Sequence, residues 1–254
     1  MQSIPVLMYH HILPETGFLA ASISQFEEQM RFLARNGFTS ISLNQLYAYK
    51  TARVRLPPKS LVITFDDGWR DNAVYAYPIL KKYGLIATIF IVTEWIEMAS
   101  QKPAEFSPLD HNSAKQALGD SPGSVVLCWD HIEKVSDVFE FHSHTHTHRL
   151  EYFSQVGWPE DLSLSKEIIK ARLGIDTTHL CWPHGKYDES LTRMAHDCGY
   201  RMLYTAKRGV NTPDGDCSHI KRLAVKKGAR WLKKSLALFS NPVLGAIYAR
   251  IKPE

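Results

Sequence analysis

The chain has 254 residues, with 30 Lys and Arg against 26 Asp and Glu and an apolar content of 44%. That length suits one large domain or two small ones with a sizeable core, and a formal charge of only +4 gives no reason to expect a nucleic-acid partner. The four cysteines, Cys128, Cys181, Cys198 and Cys217, form no Cys-x-x-Cys pair, so neither a zinc ribbon nor a thioredoxin-type site is indicated, and reduced, buried thiols are expected.

The amino terminus enters an apolar run without a basic leader or a long apolar core, which is not a secretory pattern. No stretch reaches the roughly 18 apolar residues that cross a bilayer, and the expected location is cytoplasmic. Residues 5–9 read as a strand ending in His10-His11. Ser24-Gln25-Phe26-Glu27 is a capping-box pattern, behind which Phe26, Met30 and Leu33 share a helical face as far as Gly37. Residues 38–43 alternate like a strand, and Pro57-Pro58 marks a turn. The run Leu61-Val62-Ile63-Thr64-Phe65 is short and apolar, as in a strand buried on both faces, and stops at Asp66-Asp67-Gly68. Residues 71–83 read as helix, 86–92 as strand, and 97–124 as a polar, turn-rich excursion from the core. A short helix over 129–135 precedes a strand over 138–141 that leads into a histidine cluster. A helix over 163–173 stops at Gly174, and residues 179–182 form a strand ending in Pro183-His184-Gly185. Asp188 caps a helix that stops at Gly199, and residues 200–205 and 220–225 are the last strands.

Strands alternating with helices imply parallel pairing, and roughly seven or eight such units suggest a closed or nearly closed α/β barrel. His10, Asp66-Asp67, the histidine cluster and Pro183-His184-Gly185 each follow directly after a strand. In a parallel barrel all strand carboxyl ends open onto one rim, where such folds place their active sites. The four groups are therefore expected at one mouth.

Two adjacent carboxylates are costly to bring together unless a cation sits between them or they do different jobs. One division of labour has one acid bind a metal while its neighbour takes a proton; a plain Asp-Asp-Gly turn is the alternative. In Phe141-His142-Ser143-His144-Thr145-His146-Thr147-His148, a helical turn would set His144 and His148 on one face toward a single ion, and His142 and His146 offer a rival register. Two imidazoles and a carboxylate leave open positions, which is the pattern of a catalytic metal. Zinc, Zn2+, is the first choice, and Co2+, Ni2+, Mn2+ or Fe2+ fit the same donors.

The sequence resembles the polysaccharide deacetylases, carbohydrate esterase family 4. Thr64-Phe65-Asp66-Asp67-Gly68 is similar to their first motif, and His144-Thr145-x-x-His148, preceded by Glu140-Phe141, to their second. The resemblance covers roughly residues 4 to 225 and implies a distorted barrel of about seven β/α units. It implies that Asp67, His144 and His148 bind the metal and that Asp66 is the general base. It also selects His144 and His148 over the other register. The family's third motif usually reads Arg-x-Pro-Tyr-Gly; here it is Cys181-Trp182-Pro183-His184-Gly185, without the arginine that orients the base. The resemblance implies that this motif binds the oxyanion and substrate through His184, Pro183, Gly185 and Trp182, and the His184 backbone N–H can still serve as oxyanion donor because a backbone group does not depend on the side chain. Trp182 is either a wall for a sugar ring or a core residue. The opening Val6-Leu7-Met8-Tyr9-His10-His11 resembles the circularly permuted branch that includes the poly-β-1,6-N-acetylglucosamine deacetylases, where the acid histidine comes first. This implies His10 as general acid, with His11 as the alternative.

The expected activity is metal-dependent removal of N-acetyl groups from a polysaccharide, oligosaccharide or lipid-linked glycan precursor, releasing acetate. An O-acetyl esterase, a non-sugar amide hydrolase and an inactive sugar-binding domain are the competing readings. Residues 1–225 form the expected catalytic domain. Residues 226–254 read as a basic and apolar helical tail, either packed across the barrel or lying on an anionic membrane face.

Overall fold

The computed structural model describes residues 2–148, 157–225 and 227–252. Lys226, the first residue of the basic run, and the last two residues of the tail therefore lie outside the described residues. In chain order the elements begin β1 (Val6–Tyr9), β2 (His11–Leu13), β3 (Ala20–Ser22), α1 (Ile23–Arg35), β4 (Thr39–Ser40), α2 (Leu43–Ala52) and β5 (Ser60–Phe65). A π-helical turn over Asn72–Ala76 runs into α3 (Tyr77–Lys82), followed by β6 (Ala87–Ile91), α4 (Thr93–Gln101), α5 (His111–Asp120), α6 (Pro122–Val125), α7 (Trp129–Lys134) and β7 (Phe139–Ser143). Then come α8 (Trp158–Leu173), β8 (His179–Cys181), a 3-10 turn over Pro183–Gly185, α9 (Glu189–Asp197), β9 (Met202–Tyr204), β10 (Leu223–Ala224), α10 (Ala229–Phe239) and α11 (Pro242–Ile251).

The main sheet runs β10-β1-β5-β6-β7-β8-β9, with β4 against the start of β5, and these pairings are parallel. The sheet curls until Tyr204 bridges Ile220 in parallel, just ahead of β10, so the barrel is nearly closed. The period-two alternation of each strand divides the core. Val6, Val62, Phe90, Cys181 and Tyr204 line the inside, where α2 contributes Leu43, Leu46 and Tyr49. Leu7, Ile63, Ile89 and Phe141 face outward onto apolar stripes from α1, α3, α4 and α10. The register keeps strand ends level: Tyr9 pairs with Phe65, Ile91 with Ser143, and Cys181 with Tyr204. The next residue in four of these strands is His10, Asp66, His144 or Trp182.

Local differences from the sequence reading have local causes. The α1 cap is Ser22, whose side chain accepts from the Gln25 amide, two residues before the expected box. The alternation over 38–43 is only two residues of strand; Ser42 and Gln45 then form a capping box that starts α2. The expected helix over 71–83 opens with the π turn, which widens the backbone beside Asp71. The polar stretch over 97–124 is largely helical, and α5 is capped by the Asp110 carboxylate. α10 buries Leu232, Leu236 and Phe239 in the outer core, each contributing about 1.5–3 kcal/mol at most.

Candidate active site

His10, Asp66, Asp67, His144, His148, Trp182, His184 and Gly185 all contribute to the wall of one cavity of about 370 Å3 at the carboxyl ends of the strands. The backbone there is unusual. Asp67 (φ 78°), Thr145 (φ 69°), His148 (φ 58°) and His184 (φ 55°) are all left-handed, a region that costs a residue with a side chain of order 1–3 kcal/mol and clusters at functional sites. The histidine cluster is therefore a looped chain, and no helical turn presents His144 and His148.

The loop nonetheless brings both imidazoles to one carboxylate oxygen. His144 Nε2 lies 3.3 Å and His148 Nε2 3.2 Å from Asp67 Oδ1. The three donor atoms fit within 4.8 Å of one another, close enough to hold one ion. Supporting bonds orient two of the three side chains. His144 Nδ1 donates to the Cys181 carbonyl at 2.8 Å, which leaves Nε2 as the lone-pair nitrogen. Trp69 Nε1 donates to Asp67 Oδ2 at 2.8 Å, leaving Oδ1 for the imidazoles. Burial works to raise the Asp67 carboxyl, but the His144 and His148 imidazoles beside it overcome this and hold it well below the usual range. Burial drives His148 down to about 4, whereas at His144 burial is outweighed by Cys181 and Asp67, which raise it; a metal would require both imidazoles neutral. The rival pair points elsewhere: His142 Nδ1 bonds Thr177 and His146 Nδ1 bonds Thr93.

Asp66 faces the inside by parity with Val62 and Thr64. Its partner is Arg222, a residue the sequence reading passed over. Arg222 Nη1 and Nη2 grip Asp66 Oδ1 and Oδ2 at 2.7 and 2.8 Å, and Nε donates to the Thr205 carbonyl at 2.8 Å. The arginine missing from the third motif thus has a counterpart from the other side of the barrel. Burial works to raise Asp66, and the Arg222 charge and hydrogen bonds win and lower it. Cys181, where the motif would carry arginine, is buried with its thiol 3.7 Å from Asp66 Oδ2.

His10 Nε2 lies 3.8 Å from Asp66 Oδ2 at the cavity wall. His11 turns away: Nδ1 bonds the Asp71 carboxylate at 2.8 Å, and its ring stacks on Trp69. His219 pairs with Asp216 outside the cavity. At Gly185 (φ 65°) an added Cβ would fall 2.5 Å from the Ala206 Cβ, so the turn beside His184 has room only for glycine. Trp182 touches the cavity, but its ring is fully buried among Trp158, Leu162, Leu180 and Leu203, as a core residue would be.

A curled parallel α/β barrel thus carries at its open rim an acid pair and two histidines, three of whose side chains could hold one metal ion. Residues 53–203 match the model of the polysaccharide deacetylase family, and the chain belongs to that family. Among curated relatives it is 25% identical over 221 residues to the poly-β-1,6-N-acetyl-D-glucosamine N-deacetylase of Staphylococcus aureus, covering 83% of this chain and 69% of that one. The fold is similar to the Streptococcus pyogenes deacetylase PplD, solved in complex with acetate (TM-score 0.78, 21% identity, 94% of this chain and 99% of that one). It is also similar to IcaB from Ammonifex degensii (TM-score 0.72, 22% identity, 92% and 96%).

Proposed function

We propose that this protein hydrolyses the N-acetyl group of an N-acetylated glycan, releasing acetate and leaving a free amino sugar. The observation that carries this reading is the shared mouth: Asp66 beside Asp67, both histidines on Asp67 Oδ1, and His10 at 3.8 Å from Asp66. Asp67, His144 and His148 would hold a divalent cation, and their nitrogen and oxygen donors suit zinc. When bound, that ion polarises a carbonyl oxygen and acidifies water. Asp66, kept ionised by Arg222, accepts the proton of the attacking water. The His184 N–H steadies the developing oxyanion, a contribution worth roughly 3–4 kcal/mol for such a donor. His10, in its protonated form, delivers a proton to the departing nitrogen; burial lowers its pKa against the pull of Asp66 and Asp67.

We assign residues 1–225 to catalysis and, within the 226–254 tail, where α10 packs on the barrel, the exposed face of α11 to attachment at an anionic membrane surface on the cytoplasmic side. The four cysteines are unpaired, which suits a reducing compartment. No helix among the described residues is long and apolar enough to cross a membrane. α11 exposes Val243, Leu244, Ile247 and Ile251 at helical spacing, and no acidic residue lies between Asp216 and Glu254. This combination suits shallow adsorption.

The test is acetate release from N-acetylglucosamine oligomers against an O-acetylated sugar, with metal content measured in parallel. Asp66→Asn is expected to keep the metal and lose turnover, and His144→Ala to lose the metal. Full activity in both variants, or release only from the O-acetyl ester, would sink the reading.

A further inference from the structure

The mouth carries a cation that the reaction above does not use. Lys115 lies one helical turn beyond His111 on α5, and both line the cavity with Asp67, His148 and His184. Its place is built. Asp110 caps α5, and His111 Nδ1 bonds His11 Nε2 at 3.2 Å, which in turn holds Asp71. The Lys115 ammonium sits over the Trp95 ring at 4.7 Å, and Trp95 packs against the His148 ring at 5.0 Å. The cation is thus seated on the same aromatic wall that backs a metal ligand.

No carboxylate among the described residues pairs with it. Among the described residues no ion pair or hydrogen-bond acceptor is found for the Lys115 ammonium, although three N–H donors are available there. The mouth's own acids are committed, Asp66 to Arg222 and Asp67 to Trp69, His144 and His148. Burial pulls the Lys115 ammonium down from its ordinary value while Asp67 works the other way, so a half-desolvated charge waits for a counter-ion.

We propose that Lys115 binds an anionic substituent, a carboxylate or a phosphate, on the acetamido sugar or on the residue linked to it, so that the preferred substrate is an acidic glycan. This deepens the N-deacetylase reading and rests on it. One cavity of about 370 Å3 holds both Lys115 and the reacting groups, which limits the anion to that sugar or its neighbour.

The experiment compares kcat/KM for a neutral N-acetylglucosamine oligomer, an oligomer alternating N-acetylglucosamine with glucuronate, and N-acetylglucosamine 6-phosphate. One acidic substrate is expected to win, with the difference carried by KM and narrowed by salt; which one wins identifies the anion. Lys115→Ala is expected to cut the acidic-to-neutral ratio about tenfold, as loss of a charged hydrogen bond does, and Lys115→Arg to restore it. Calorimetric binding of the deacetylated acidic product to the metal-loaded protein gives a readout without turnover, and should weaken alike in Lys115→Ala. Acetate released equally well from neutral and acidic sugars, or a ratio unmoved in Lys115→Ala, overturns the assignment and leaves the N-deacetylase reading standing. No acetate from any N-acetyl sugar overturns that reading instead.

Discussion

Replacing Arg222 tests whether the segment leading into β10 supplies the guanidinium that holds Asp66, the proposed base. The side chains of Arg222 and Asp66 are only 1% and 4% exposed and share two short bonds. Exposed ion pairs are worth about 0–1 kcal/mol, whereas removing one partner of a buried pair costs about 3–5 kcal/mol, because the remaining charge is stranded. Arg222→Met should therefore lower unfolding stability by about 3–5 kcal/mol. Arg222→Lys keeps the charge but loses the planar fork, and should fall in between. The double variant Asp66→Asn/Arg222→Met should be more stable than the sum of the two single losses, since no charge is left behind. The kinetic consequence has a definite sign. The base must be ionised, and Arg222 opposes the burial that raises Asp66. Without Arg222 the acidic limb of the kcat/KM profile should move to higher pH, and the alkaline limb should follow in the same direction, because the Arg222 charge also works to lower His10. Denaturant melts of the metal-loaded protein and a pH–rate series for acetate release measure both effects. An Arg222→Met protein that unfolds at the wild-type midpoint and keeps its acidic limb would refute the argument.

Other perturbations report on separate parts of the molecule. Burial lowers His142 to about 3, so its proton is bound mainly by the unfolded chain. Its contribution is therefore complete above the ordinary histidine pKa and is lost as pH falls toward 3. Between pH 6.5 and 5 that is about 2 kcal/mol, and His142→Gln should show a shallower acid decline in urea midpoint. Gly185→Ala sets a Cβ against Ala206 at a left-handed residue, and should depress kcat more than metal content because the change falls at the His184 amide. Chelation should abolish acetate release, and zinc should restore it. Val243→Asp with Ile247→Asp should end co-sedimentation with anionic vesicles while leaving acetate release intact; unchanged sedimentation would remove the attachment role of α11.

What the chain disclosed depended on whether a residue's neighbours in sequence carried the constraint. The end of β5 was legible because a two-sided apolar run cannot continue into Asp66-Asp67, and the parallel alternation then fixed which rim the acids occupy. The pairing of His144 with His148 was legible from spacing, but the mechanism inferred for it was not. A helical turn and a left-handed loop at Thr145 and His148 can deliver the same two rings, and periodicity cannot tell them apart. Arg222 failed for a different reason: its constraint is a partner far away in sequence. A signal did exist, since Ile220 faces inward and a strand places residue 222 on the same side. A charged residue forced inward implies a buried opposite charge, and Asp66 was the nearest one without a partner once the third motif had lost its arginine.

The same logic explains the misreading of residues 97–124. Polar composition suggests solvent, yet Asp110 is an N-cap and His111 and Lys115 lie one turn apart. A capped helix with two such side chains on one face has a polar surface to turn toward something. In this fold that surface is the mouth, and the residues least like a core close one side of the site. Composition separates buried from exposed, but a catalytic cavity is neither, and its walls are recruited from segments that look like loops. Lys115 therefore bears on substrate choice in a way Asp66 and Asp67 do not: in the proposed reaction the acid pair decides which bond is broken, while a cation unmatched among the described residues selects which sugar can bring that bond within reach.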